Sequence, residues 1–425
     1  MKKMDYQNVK GTEDYLPNEA GVRREIRRTL EDVFIQYGCK PLETPILNYT
    51  ELLSSKYGGG AEILEEMYTL TDRGNRDLAL RYDLTIPFAK VIAMNPTLRM
   101  PFKRYEIGKV FRDGPIKTGR FREFTQCDVD IVGVSSQIAE AELMMMAVDA
   151  FEKLDLPITI QYNNRKLLTG MLEVFETAPE KMNKVVLILD KLEKIGVEAV
   201  SSELTDLGLP EATVTLIQQF LINQNKTSYT YFEPFSRRNS LVKEGLAELM
   251  ELDSYLELLG INTQCVFNPF LARGLEIYTG TIYEIFLADQ TIKSSIGSGG
   301  RYDNAIGGLL GTNENFSTVG ISFGLDVIFT AMNKGKEQRV SLIDYYVVPI
   351  NTEKESLLLA RDLRRKGYKV EFELGGKKLG KALDKANKEN YQKVIIVGED
   401  EVKQNQYKIK DMNTGEETVE SFRFR

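Results

Sequence analysis

Three stretches of the chain concentrate residue types that bind and polarise oxygen-rich substrates. The first is 102–133, FKRYEIGKVFRDGPIKTGRFREFTQCDVDIVG, where Arg112 ends one strand-like run and Arg120 and Arg122 open the next. Strands over 102–112 and 121–132 around the DGPIKTG loop predict a long antiparallel hairpin. Its arginines can project over one face of the sheet, with Glu123, Gln126, Asp128 and Asp130 nearby in sequence. The forked guanidinium suits phosphate and carboxylate oxygens, although a solvated hairpin laced by cross-strand Arg–Glu pairs uses the same residues. The second stretch is RGLEIYTG, 273–280, where a glycine beside an arginine within a strand is an unusual choice unless a ligand approaches closely. The third is GSGGRYDNAIGG, 297–308, whose glycines also let backbone approach a ligand. Glycine-rich turns are common, so this signal carries little alone.

What is missing narrows the chemistry. Among 425 residues there is no histidine, which removes every Ser/His, Cys/His and His–metal mechanism. Cys39, Cys127 and Cys265 are far apart and form no CxxC, so reduced thiols are expected, with neither a zinc site nor a disulfide framework. Any reaction must run on arginines, carboxylates, tyrosines and bound metal. Hydrophobic residues at 42% and charged residues at 28% are ordinary for a soluble globular chain. The N-terminus has two lysines but no apolar stretch behind them, and no run of eighteen apolar residues occurs. A cytoplasmic protein without a membrane span is expected. The net charge of −7 argues weakly against a generic nucleic-acid binder. Its distribution is uneven, since 361–394 holds 11 basic against 5 acidic residues, a surplus of 6. That basic face is compatible with RNA, and equally with a solvated helix.

The positioning elements read as α+β. An amphipathic helix is expected over 19–37, a strand interrupted by Pro41 and Pro45 over 39–47, and strands at 66–71 and 77–82. After the hairpin come a helix at 136–154, a helical region from 164 to about 258, and strands at 262–287 and 292–301. Helices at 302–310 and about 322–334 follow, then a polar linker at 333–341. Beyond it, strand, helix, strand, helix, strand predicts a small α/β domain with a mainly parallel sheet. The expected organisation is a catalytic domain of 1–163 and 259–332, a helical insertion at 164–258, and an α/β domain at 342–425.

The phrase 102–133 resembles motif 2 of the class II aminoacyl-tRNA synthetases, and FxQCDxDIxG resembles the histidine–tRNA ligases of archaeal and eukaryotic type. RGLEIYTG is similar to that family's signature RGLDYYTG, with Ile277 where the family has its first tyrosine. KGTEDYLP resembles the opening signature, LETPIL with Pro45 resembles motif 1, and KVIIVGEDEV with IKDMNTGEE resembles the anticodon-binding domain. The resemblance covers nearly all of the chain. It implies a class II antiparallel sheet flanked by helices, an ATP-dependent reaction with Mg²⁺, and L-histidine and tRNA(His) as partners in a homodimer. It further implies that Arg112 and Arg273 meet the α-phosphate as catalytic residues and that Arg120 lies near the ATP. Asp83 and Thr85, from LRYDLT, would bind the α-amino group. Gln126, Asp130, Tyr278 and Tyr302 would line the amino-acid pocket. Motif 3, STVGISFGLDVIFTAM, departs from the family by placing Val327 where an arginine usually holds phosphates. A related non-ligating fold, the histidine-sensing regulatory subunit of ATP phosphoribosyltransferase, is the alternative. Such proteins generally lack the anticodon domain.

Overall fold

The computed structural model describes residues 6–54, 61–116, 119–223, 227–272, 277–312, 314–333 and 342–424. The chain forms two compact units, 1–14 with 25–334 and 15–24 with 335–425. Strands of the first unit are β1 (Lys40–Pro41), β2 (Leu47–Tyr49), β3 (Thr69–Thr71), β4 (Asp77–Leu80), β5 (Phe102–Phe111) and β6 (Glu123–Val132). They continue with β7 (Ile158–Asn164), β8 (Cys265–Phe267), β9 (Thr281–Leu287), β10 (Gly297–Arg301) and β11 (Thr318–Gly324). The main sheet runs β1-β5-β6-β11-β10-β9-β7-β8, and β2-β4-β3 form a small separate sheet. All pairings of the main sheet are antiparallel except β1 with β5 and β7 with β8 at its two ends.

Side chains alternate across a sheet, so each central strand must satisfy two environments. On β6, Cys127 and Val129 are fully buried on one face, which β11 continues with Phe323. Helices Pro17–Gln36 and Ile138–Lys153 cover that face. Phe34 stacks on Phe323 at 6.0 Å between ring centroids, and Phe151 meets it edge-on at 5.4 Å. The opposite face of the same strands carries the polar residues.

The region after β7 is helical: Arg165–Val174, Met182–Leu189, Leu192–Asp206, Glu211–Ile222 and Ser240–Leu259. Asn164 and Asn239 cap the first and last of these with side-chain oxygens on backbone N–H groups. The two capped helices approach closely because each is notched by a glycine. A Cβ on Gly245 would lie 2.5 Å from Leu167 N, and one on Gly170 would lie 2.7 Å from Val242 N.

In the second unit, β12 (Tyr345–Pro349), β13 (Val370–Phe372), β14 (Lys393–Val397), β15 (Gln406–Asp411) and β16 (Glu417–Ser421) are ordered β13-β12-β14-β15-β16. Helices Glu353–Arg365 and Leu379–Lys388 connect the first three.

Several expectations need correction. The second unit is a mixed sheet, because β14–β15 and β15–β16 are antiparallel; alternation of exposed charge along 406–421 hides those two strands. The helix expected from about 322 starts at Leu325, and 318–324 is strand β11. Val319, Ile321 and Phe323 alternate with small residues as in a strand, and the helix begins directly after Gly324 without a break. Within 262–287 only β8 and β9 are strands among the described residues, with Asn268 Oδ1 accepting the Phe270 N–H to turn the chain. The strand read over 292–301 begins at Gly297. Glu66 ends a helix, Ala61–Glu66, so the strand expected from 66 begins at Thr69. Segment 39–47 is only β1 and the first residue of β2, because Pro41 and Pro45 punctuate it.

Gly245→Ala should overpack the two notched helices and destabilise the first unit by about 1–3 kcal/mol. Denaturant unfolding of the full chain would show this as a lower midpoint, and an unchanged midpoint would mean the helices tolerate wider spacing.

Candidate active site

The register of β5, β6 and β11 builds the site. Arg104, Glu106 and Gly108 of β5 lie opposite Asp130, Asp128 and Gln126 of β6. Those three in turn lie opposite Gly320, Ser322 and Gly324 of β11. Period-two alternation places all nine on one face, and the six from β6 and β11 form the floor of a cavity of about 470 Å³. Glycines keep the floor low. A Cβ on Gly320 would fall 2.0 Å from Asp130 Oδ1, and one on Gly299 of β10 would fall 2.1 Å from the Gly320 carbonyl oxygen.

The floor is charged and buried. Asp130 accepts a hydrogen bond from the Tyr302 hydroxyl, and its Oδ2 lies 2.6 Å from Arg104 Nη2. Arg104 is wholly buried, donates to the Leu84 carbonyl at 3.1 Å and sits 4.4 Å over the Phe88 ring. Glu106 joins it to a second buried arginine, Arg81, at 2.7 Å, while Thr44 donates twice more to that carboxylate. Burial raises the pKa of Asp130 against the lowering influence of Arg104 and Tyr302. Asp128 is pushed up to about 7, chiefly by burial and by the neighbouring Asp130 and Asp83, against the pull of Arg104 and a Ser322 hydrogen bond. Gln126 donates to Ser322 Oγ at 2.8 Å.

The rim is cationic and aromatic. The Arg112 guanidinium lies 4.1 Å from the Tyr82 ring centroid and 5.1 Å from that of Phe124, and its Nε donates to the Tyr82 carbonyl at 3.2 Å. Arg120 pairs with Glu66 at 3.2 Å, and the Tyr82 hydroxyl donates to the same carboxylate at 3.0 Å. Asp83 Oδ1 accepts the Thr85 and Ile86 N–H groups at 3.0 Å, starting helix Thr85–Met94 beside the cavity. Val327 also lines the cavity, and a Cβ on Gly119 would sit 3.3 Å from its methyl carbon.

A cavity with forked cations at its rim and two buried carboxylates beneath can hold a phosphate ester and a polar, nitrogen-bearing group together. The family model described as histidyl-tRNA synthetase matches residues 11–328, and one described as an anticodon binding domain matches 344–422. The chain belongs to the histidyl-tRNA synthetase family. It is 58% identical over 425 residues to "Histidine--tRNA ligase 2" of Shouchella clausii, covering 100% of both chains. It is also 58% identical over 416 residues to "Histidine--tRNA ligase 1" of Bacillus cereus, covering 97% of each. The crystal structure of histidyl-tRNA synthetase from a Nostoc species superposes with a TM-score of 0.87 at 29% identity, covering 99% of this chain and 97% of that one. A Bacillus halodurans structure titled as an ATP phosphoribosyltransferase regulatory subunit/histidyl-tRNA synthetase has a TM-score of 0.75 at 20% identity over 93% and 99% of the chains, a likeness of fold alone.

Within this synthetase fold, Asp83, Thr85, Arg112, Arg120, Gln126, Asp130, Tyr278 and Tyr302 all line the one cavity. Arg273 lies outside the described residues. Sequence reasoning missed Arg104, Glu106, Arg81 and the pair Arg301–Glu140. Arg301, next to Tyr302, is bound bidentately by buried Glu140 at 2.6 and 2.7 Å. The signal for Arg104 was available: two residues before Glu106 and on the parity of Asp128 and Asp130 across the hairpin, it had to share their face.

The high Asp128 pKa sets a pH dependence. Between an ordinary carboxylate value near 4 and about 7, the folded protein keeps a proton that the unfolded chain has released, so stability falls as pH rises through that window. Asp128→Asn should remove this contribution. Its unfolding midpoint relative to the parent should rise progressively from about pH 4 to 7; a constant difference would mean Asp128 is already ionised throughout.

Proposed function

We propose that the chain activates L-histidine with ATP, forming histidyl-adenylate and pyrophosphate, and then transfers the histidyl group to the terminal ribose of tRNA(His). The observation that supports this most is one cavity joining Arg112 and Arg120 at the rim to the Asp130–Tyr302 pair on the floor. A triphosphate and an imidazole need different partners, and the two sets lie at the two levels of the same space. The regulatory-subunit alternative is not favoured, because full-length relatives at 58% identity are named ligases and an anticodon-binding unit follows the first.

In this reading the histidine carboxylate attacks the α-phosphorus in line with the departing pyrophosphate. Arg112 is braced by two rings and by the Tyr82 carbonyl, so it meets the growing charge without reorganising. Arg273 takes the corresponding place from the RGLEIYTG segment as the second catalytic residue. ATP enters with Mg²⁺ as its companion. Among the described residues no cluster of three His, Cys, Asp or Glu side chains offers that ion a resident site. Asp83 and Thr85 receive the α-ammonium, while Gln126, Asp130, Tyr278 and Tyr302 face the side chain. A site built to hydrogen-bond polar atoms rejects amino acids that lack them by large factors.

We further assign 164–258 as an insertion within a catalytic domain of 1–163 and 259–332, joined by a linker at 333–341 to an anticodon-binding domain at 342–425. A homodimer through the motif 1 region around Pro45 is supported by exposed Ile46, Leu47, Tyr49 and Leu70. No helix among the described residues is long and apolar enough to cross a membrane, and a cytoplasmic location fits the reaction.

The purified chain should exchange labelled pyrophosphate into ATP with histidine and with no other standard amino acid; no exchange would overturn the reading. Arg112→Ala and Arg273→Ala should each lower turnover by about 10²–10³, and full activity of either would remove that residue's role. Val327→Arg should lower the KM for ATP or raise turnover, whereas unchanged kinetics would show that another group supplies the missing charge.

A further inference from the structure

Beneath the cavity lies a charge that does not itself line it but reaches it through Asp130. Arg104 is fully buried on β5 directly opposite Asp130, and its guanidinium is enclosed by Phe88, the Leu84 carbonyl, Glu106 and Asp130. Its Nε and Nη1 make no hydrogen bond among the described residues, nor do Asp130 Oδ2, Asp128 Oδ1 and Gln126 Oε1. Asp130 and Arg104 are thus held by charge at 2.6 Å without a well-aligned hydrogen bond. A buried arginine placed this way is an expensive feature unless it serves the carboxylate beside it.

We propose that Arg104 is a positioning residue for histidine recognition: it keeps Asp130 ionised and, together with the Tyr302 hydroxyl, fixes its orientation as the acceptor for an imidazole N–H. This rests on the histidine-activating reading above. The geometry gives each partner a distinct task. Tyr302 donates to Oδ1, Gly320 leaves the space over that oxygen clear, and Arg104 compensates the charge from the far side. Without Arg104, Asp130 would face Glu106 and Asp83, and Asp128 beside it, with only the Tyr302 hydroxyl in its favour, and a buried carboxylate in that company takes up a proton. A protonated Asp130 offers the wrong hydrogen-bonding pattern to an imidazole N–H.

The test is pyrophosphate exchange by the full-length enzyme and by R104M, R104K, D130N and the R104M/D130N double variant, at several pH values. R104M should raise the KM for histidine about 10- to 100-fold and leave the KM for ATP within about twofold. The acidic limb of kcat/KM for histidine should move up by about one pH unit or more. R104K retains charge but not the fork, so it should restore the limb and only part of the affinity. D130N should match R104M in histidine KM while lacking the limb set by Asp130, and the double variant should be no worse than either, because both residues act through one contact. A purely structural arginine would instead lower the active fraction equally toward both substrates and leave the limb in place, and that result overturns the proposal. Should R104M fail to fold, R104K decides alone: an unchanged histidine KM refutes the positioning role. If the parent enzyme shows no histidine-dependent exchange, the activity reading itself fails and this role with it. An active parent with unaffected Arg104 variants refutes only the present inference.

Discussion

Three adjacent strands must be polar on one face and close-packed on the other, and the active region follows from that constraint. β5, β6 and β11 cannot slip by one residue, because a slip would drive Asp128 and Asp130 into the layer of Phe34, Phe151 and Phe323. The aromatic contacts behind the sheet therefore hold the register that the front face needs. Gly320 and Gly299 then matter for a steric reason: they stand where any side chain would occupy the volume of a carboxylate or of a neighbouring carbonyl.

Holding so many charges in a buried floor is costly, and the arrangement offsets the cost in layers. Arg81, Thr44 and Glu106 form a closed set beneath, with Arg81 donating to Thr44 and Lys109 carbonyls as well as to Glu106. Arg104 extends that set upward to Asp130. At the upper end the pairing becomes incomplete, leaving Asp128 Oδ1 and Gln126 Oε1 without hydrogen bonds among the described residues. Buried polar atoms without partners are rare in folded proteins, and these two belong to residues that line the cavity. On the opposite side Arg301 and Glu140 form a closed bidentate pair that fixes the strand end carrying Tyr302.

Much of this was legible in the chain itself. The 102–133 hairpin follows from two apolar-alternating runs about a glycine and proline loop, and its observed strands differ from the expected ones by a residue or two. The helical texture of 164–258 was equally plain, since leucine and valine recur there at helical spacing. β11 was misread although Val319, Ile321 and Phe323 alternate with small residues, because the run leads straight into helix Leu325–Asn333 and only its pairing with β6 and β10 marks the boundary. β15 and β16 were hidden for a different reason, their outer faces being solvated charge. Of the site, the residues that touch the cavity could be singled out, whereas Arg104 could be placed only as to its face of the sheet and Arg81 not at all. Nothing in the sequence says that an arginine will be buried until the carboxylates that stabilise it are placed beside it.

A chain devoid of histidine can support this reaction because of where the barrier lies. Transfer of an adenylyl group from ATP to a carboxylate requires no proton to be taken from the nucleophile, which is already an anion at neutral pH. What the protein must supply is alignment and compensation for charge spreading onto phosphate oxygens. Arginine suits that task because it stays protonated even when stacked between rings or buried, as Arg112 and Arg104 are. An imidazole in the same positions would titrate near neutrality. The residues available to this chain are therefore matched to such chemistry: fixed positive charge at the rim, buried carboxylates below, and glycine where a carboxylate or a neighbouring strand comes close.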